Sequence, residues 1–187
     1  MVRVLIGSIV AAIAMFITGF VFWATPLSKL GLSSVDVQQS ANVQAALAAN
    51  LPHTGVYMIP WPDTPEGTAM FGRGPIASVD YNTAGASLTN PTPMIVGFVQ
   101  EVIVALFIGL GLLAISGRVT DFPSRIKVAL ALTGAAAILI TTQDPIFMHG
   151  DWRHALYNLI ACFAVLAAGS FVLVKWFLPK PISVSLR

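Results

Sequence analysis

"VLIGSIVAAIAMFITGFVFWA", Val4–Ala24, is an apolar run without a single charge, and its length decides the fold class. A helix needs about 20 mostly apolar residues to cross the hydrocarbon of a bilayer. The whole 187-residue chain has the same character. It is 56% hydrophobic and 10% charged, with a mean hydropathy of +0.81, whereas an ordinary soluble domain carries about 25% charged residues. Three further runs match the first. Met94–Ser116 carries one charge, Glu101. Ile126–Phe147 is built around the strictly apolar Val128–Ile140, and its terminal Lys127 is able to snorkel. Ala155–Val174 is again uncharged. These runs predict an all-α membrane protein with four transmembrane helices and a C-terminal tail over residues 175–187.

The first run follows Arg3 and so has the outline of a secretory signal. Its apolar core is too long for one, and the Phe22–Trp23–Ala24–Thr25–Pro26 exit lacks a small-x-small cleavage pattern. It is read as a retained anchor. A net charge of +2 is too small to argue for nucleic acid, and the lone Cys162 excludes an internal disulfide.

Basic residues set the orientation. Arg3, Arg118, Arg125, Lys127, Lys175, Lys180 and Arg187 flank one side of the spans, seven of the ten in the chain. The other side has Lys29, Arg73 and Arg153, with Asp36, Asp63, Glu66, Asp80, Asp144 and Asp151. Both termini are therefore expected in the cytoplasm of a bacterial inner membrane. Thr25–Pro93 and the His149 loop then lie outside. Trp23 and Trp152 fall at the outer boundary and Trp176 at the inner one, as interfacial aromatics do.

Thr25–Pro93 is expected to form a small outer cap. Ser33–Asn50 reads as a helix with Val37, Ala41, Val43, Leu47 and Leu51 near one face and Ser34 or Ser40 as its cap. "GVYMIP" (Gly55–Pro60) and "PIASVDY" (Pro75–Tyr81) have the β-branched, alternating makeup of strands. The Pro/Gly-rich "WPDTPEGTAMFGRG" between them is expected as a long loop. The cap is thus one helix and a two-stranded ribbon. Such a ribbon is marginal alone, so it is expected to rest on the helix ends or on another subunit.

Four features together are similar to a group of uncharacterised small bacterial inner-membrane proteins: the Trp23…Pro26 exit from the first span, "GVYMIP", "GPIASVDY" (Gly74–Tyr81), and the Trp/His stretch before the last span. The resemblance runs through most of the chain in outline. It implies the same four-helix architecture and no activity.

Chemistry-bearing residues concentrate in "DPIFMHGDWRHALYN", Asp144–Asn158. If residues 151–158 are helical, His154 and Asn158 share a face at i, i+4, and Asp151 sits at i−3 on that face. Asp151 is also a natural N-cap for the His154 backbone N–H. His149, Asp151 and His154, with His53 from the outer loop, offer imidazoles and a carboxylate suited to zinc, copper or non-haem iron. A single His at a helix start also suits a haem or chlorin, with Trp152 or Tyr157 packed nearby. The simpler reading is that these residues fill the headgroup level where the chain re-enters the bilayer.

Glu101 lies inside a span, where a carboxylate is costly and functional by default. It is within reach of Arg153 or His154 if the second and fourth spans are neighbours. An interhelical hydrogen bond, a proton or ion site, and a subunit contact are its candidate roles. Small residues four apart (Gly7/Ala11, Ala105/Gly109, Ala131/Ala135, Ala164/Ala168) favour close helix contact. Met58, Met70 and Met148 are too irregularly spaced for a copper site. P-loop, GxSxG, HExxH and CxxC motifs are absent, and spans one, three and four are almost free of charge. An autonomous enzyme or a secondary transporter is disfavoured. The expected role is an accessory or stabilising subunit of a larger membrane complex of respiratory or photosynthetic electron transfer, with lipids and other membrane subunits as its partners. The alternatives are a metal- or tetrapyrrole-binding protein and a small-solute or lipid-handling channel.

Overall fold

The computed structural model describes residues 1–179. Lys180, Arg187 and most of the expected tail lie outside the described residues. The chain divides into two compact units, one formed by Met1–Leu32 with the chain from Pro91 onward, the other by Ser33–Asn90.

The first unit holds four helices long and apolar enough to cross a membrane: α1 (Val2–Trp23), α4 (Thr92–Ile115), α5 (Phe122–Phe147) and α6 (Trp152–Val172), whose last turns, Leu173–Phe177, widen into a π-helix. A short 3₁₀ turn, Pro26–Leu30, follows α1. Chain order is not spatial order. α1 packs between α4 and α6, and α6 packs between α1 and α5, while α4 and α5 scarcely meet. The four helices form an arc, α4–α1–α6–α5, that is left open.

Small residues decide how closely the arc packs, because in lipid there is no hydrophobic drive between helices and van der Waals fit must supply the contact. α1 buries Val4, Gly7, Ser8, Ala11, Ala12 and Met15 at helical spacing. Gly109 of α4 sits so near Val4 that a Cβ there would lie 2.7 Å from the valine Cγ1, and a Cβ on Gly169 of α6 would overlap the Met15 sulfur. Ala11, Met15, Ala105, Val165, Val172 and Leu173 make the core. On α5 the buried stripe is Ala129–Thr133–Ala137, whereas Ala131 and Ala135 are exposed. The central part of α5, Val128–Ile140, is apolar on nearly every side, so spacing alone did not reveal which face would meet α6.

Most hydroxyls within the spans are satisfied locally, the buried Ser170 of α6 being left without a hydrogen-bond partner among the described residues. Ser8, Thr18, Thr133, Thr141 and Thr142 each donate to the carbonyl four residues earlier, as a medium without water requires.

Arg125 departs from its expected place as a free flanking charge. Its side chain is 5% exposed. The guanidinium donates to the carbonyls of Val119 (2.8 Å), Pro179 (2.6 Å) and Ser116 (3.2 Å). It ties the α4–α5 turn to the end of α6, a use of the fork that a lysine cannot copy. Nearby, Asp121 caps α5 by accepting from the Ser124 N–H at 2.9 Å. That bond holds the Asp121 carboxyl below the ordinary aspartate range.

The second unit contains α2 (Val37–Asn50), β1 (Gly55–Ile59), α3 (Pro65–Arg73) and β2 (Ala77–Tyr81). The strands pair antiparallel, with Gly55 opposite Tyr81 and Ile59 opposite Ala77. Two expectations are corrected. α2 is capped by Asp36, not by Ser34 or Ser40: Asp36 accepts from the Gln39 N–H, and the Gln39 side chain accepts from the Asp36 N–H. Asp36 has Gln39 three residues on and so completes a capping box, whereas Ser34 and Ser40 are followed at that spacing by Val37 and Val43. The supposed loop holds α3, so the unit has two helices. Thr64 caps it, Pro65 takes the first position and Glu66 the first turn, a start signal that outweighs the Gly and Pro content. The expected apolar face of α2 is not buried, with Val37 and Val43 both exposed.

Candidate functional site: a lateral cleft and its polar rim

At the end of the bundle where α1 finishes and α6 begins, four residues form one hydrogen-bonded chain. Trp23 Nε1 donates to Asn158 Oδ1 at 3.3 Å. The indole N–H is only a donor, so the Asn158 amide must turn its NH₂ toward His154. Asn158 Nδ2 then donates to His154 Nε2 at 2.8 Å. That nitrogen must accept, which puts the imidazole proton on Nδ1, where it is donated to the Gly31 carbonyl at 3.0 Å. One donor-only group thus sets the tautomer of His154. Tyr157 reinforces the joint by donating to the Phe22 carbonyl at 2.5 Å. Gly31 is buried against the Tyr157 ring, and a Cβ there would lie 2.6 Å from the ring.

The i, i+4 pairing of His154 with Asn158 is present, and it serves structure. Both imidazole nitrogens are engaged inside the protein, so a metal or tetrapyrrole would have to displace Asn158 or Gly31 to bind His154. The other expected ligands are placed differently. Asp151 is the N-cap of α6, but it accepts from the Arg153 N–H at 2.9 Å and not from that of His154. Its second oxygen is 3.8 Å from Arg153 Nε, an exposed pair of small worth. His149 follows the C-cap Met148 of α5 with φ 57°, the left-handed conformation that closes many helices. His53 stacks edge-on near Tyr57, whose hydroxyl donates to the His53 carbonyl at 2.8 Å. Among the described residues, no three His, Cys, Asp or Glu side chains gather closely enough to hold a metal ion.

Glu101 is in a different setting. α4 and α5 diverge, and the gap between them is a cleft of about 750 Å³ floored by α6. Val104, Phe107, Ile108, Leu132 and Val165 make it apolar. Gln100, Glu101, Thr133 and Cys162 are the polar groups on its wall. Glu101 is half-buried and makes no hydrogen bond or ion pair with the described residues. The pairing with Arg153 or His154 does not form: α4 and α6 barely touch, His154 is occupied, and Arg153 turns to Asp151.

A second cavity of about 360 Å³ adjoins the first. Trp23, Ile140 and Cys162 are walls of both, and Asp144, Asp151, His154 and Asn158 line the smaller one. Asp144 was visible in the sequence only as an outer-side charge. Asp144 is exposed, lines this chamber and packs its carboxylate against Gly150, with no side-chain hydrogen bond or ion pair among the described residues. Trp23 was legible as an interfacial aromatic, but its place as the shared wall depends on α1 lying beside α6. An apolar cleft with a few converging polar groups, in the size range of small-molecule sites, is the kind of place where membrane bundles hold ligands. Compared with protein-family models, curated proteins and solved structures, the chain matches none.

Proposed function

We propose that this multi-pass protein binds the apolar chain of an amphiphile in the lateral cleft between α4 and α5, the lipid-handling alternative among the readings of the sequence. The observation that carries the reading is the open arc: two spans border a cavity of about 750 Å³ without closing it, and an unpaired carboxylate lies on its wall. A carboxylate at membrane depth is expensive, and a bound partner offsets that cost. The accessory-subunit reading requires a partner helix to close the arc instead. An alkyl chain is thinner than a helix about 10 Å across, so it occupies the cleft without a second protein subunit.

The protein is further proposed to lie in a bacterial inner membrane with both termini cytoplasmic. The bias of Arg3, Arg118, Arg125, Lys127 and Lys175 to one side, and of Asp144 and Asp151 to the other, supports that orientation.

Gly111 lines the cleft, and a Cβ added there meets nothing within 4 Å. Gly111→Trp therefore starts from open space at its Cβ and puts a large side chain into the cleft. In phosphatidylcholine nanodiscs, a fluorescent single-chain probe is expected to bind saturably, and this variant to weaken it about tenfold or more without lowering the thermal midpoint. Non-saturable uptake, or equal binding by the variant, refutes the proposal. A discrete complex with other subunits in mild detergent would favour the accessory role.

A further inference from the structure

We infer that Lys175 and Trp176, at the wide last turn of α6, bind the phosphate of an anionic phospholipid. The inference is independent of the cleft and needs only that the bundle lies in a bilayer. α6 ends in a π-turn over Leu173–Phe177, closed by the Leu178 N–H donating to the Leu173 carbonyl at 3.1 Å. Turns of this kind are rare and recur at functional sites. At 3.6 residues per turn, Trp176 would point about 140° away from Phe171, five residues earlier. The wider turn instead brings the two rings edge to face, with centroids 6.0 Å apart. Lys175 lies beside them, its ammonium 5.1 Å from the Phe171 ring and 5.0 Å from the Trp176 ring.

The rings hold the ammonium by cation–π attraction and leave N–H donors for an acceptor. Lys175 is exposed, with no ion pair or hydrogen bond among the described residues. The indole N–H of Trp176 is only a donor; it too is exposed and has no acceptor among the described residues. Asp121, beside Phe122 on the facing helix, is engaged by the Ser124 N–H and makes no ion pair with Lys175. Two unfilled donors this close together suit one anion. A phosphate spans them with two of its oxygens, through charge-assisted hydrogen bonds.

The surroundings select a lipid. Phe122 of α5 meets Phe171 edge to face with centroids 6.1 Å apart, and it extends the row to three exposed rings. An acyl chain gains contact along that row, whereas a free phosphate makes no use of it. Charge then selects the head group. Phosphatidylcholine carries a cation that offsets the attraction of its phosphate for Lys175, and a head group of net negative charge does not.

The test places the full chain in equimolar nanodiscs of phosphatidylglycerol and phosphatidylcholine, with brominated chains on one lipid or on the other, and reads tryptophan quenching. The signal lost in Trp176→Phe, taken on each background, isolates that residue. Phosphatidylglycerol is expected to be enriched about fivefold over phosphatidylcholine at Trp176, the attraction of about one ammonium for an anionic surface. Lys175→Gln is expected to bring the enrichment down to within about twofold of none, and Lys175→Arg to keep most of it. The comparison of the two lipids on the protein with Lys175 intact stands even if a Lys175 variant folds poorly. Equal quenching by the two lipids overturns the inference, and so does an enrichment that Lys175→Gln leaves intact. Loss of the enrichment on adding inorganic phosphate at constant ionic strength would make this a free-phosphate site and overturn the lipid assignment.

Discussion

Replacing His154 by alanine removes two hydrogen bonds at once, one to the Gly31 carbonyl at 3.0 Å and one from Asn158 at 2.8 Å. Side-chain hydrogen bonds between membrane helices average about 0.6 kcal/mol and reach about 1.7. Two of them on a half-buried ring should therefore cost about 1–2 kcal/mol. For a chain of this size that lowers the thermal midpoint by about 2–8 °C. The assay is thermal unfolding in nanodiscs, run as a double-mutant cycle with Asn158→Ala. Because Asn158 bonds to both His154 and Trp23, the two substitutions should be less than additive, with a coupling of about 0.5–1 kcal/mol. Metal and pigment content should be the same in His154→Ala as in the parent. Strict additivity, or a midpoint that does not move, would refute the network. Loss of a bound metal or chromophore would revive the ligand reading of His154.

Arg125→Ala should cost about 3 kcal/mol or more, since three backbone carbonyls lose a charged donor in a buried site; Arg125→Lys should recover only part of it, as read by denaturation in detergent. Gly169→Val should destabilise by about 1–3 kcal/mol by driving into Met15, whereas Gly111→Ala, with open space around its Cβ, should be neutral or stabilising by up to about 1 kcal/mol. Asp121→Asn tests the helix cap by pH. The Ser124 N–H holds the Asp121 carboxyl below its ordinary range, so its contribution is present above the unfolded-state value and is lost as pH falls through the lower folded-state value. Asparagine caps without titrating. The parent's advantage in thermal midpoint should therefore be full near neutrality and disappear on acidification below about pH 4. An advantage that grows with acid contradicts the assignment.

Much of the architecture was legible because its causes are local. Four helices of sufficient length and apolarity follow from the composition of each run, and the β1–β2 ribbon follows from alternation. The errors in the second unit were also local. A stretch rich in Gly and Pro concealed α3, although Thr64–Pro65–Glu66 carried its start signal, and Asp36 was passed over as the cap of α2.

The site depended on tertiary packing. A water-soluble helix announces its buried face by polarity. In a span every face is apolar, so neither the arc order α4–α1–α6–α5 nor the Ala129–Thr133–Ala137 stripe can be read from spacing. His154 and Asn158 were correctly placed on one face, yet their roles rest on Gly31 and Trp23, 123 and 135 residues distant from their partners. Glu101 was conspicuous as a charge inside a span, but only the failure of α4 to meet α5 left it facing a cleft. The sequence by itself determined which segments are long and apolar enough to cross a membrane, because both properties belong to each run alone. The tertiary structure alone decided which of them touch, because lipid leaves that choice to the fit of small residues and to hydrogen bonds between residues far apart in the chain.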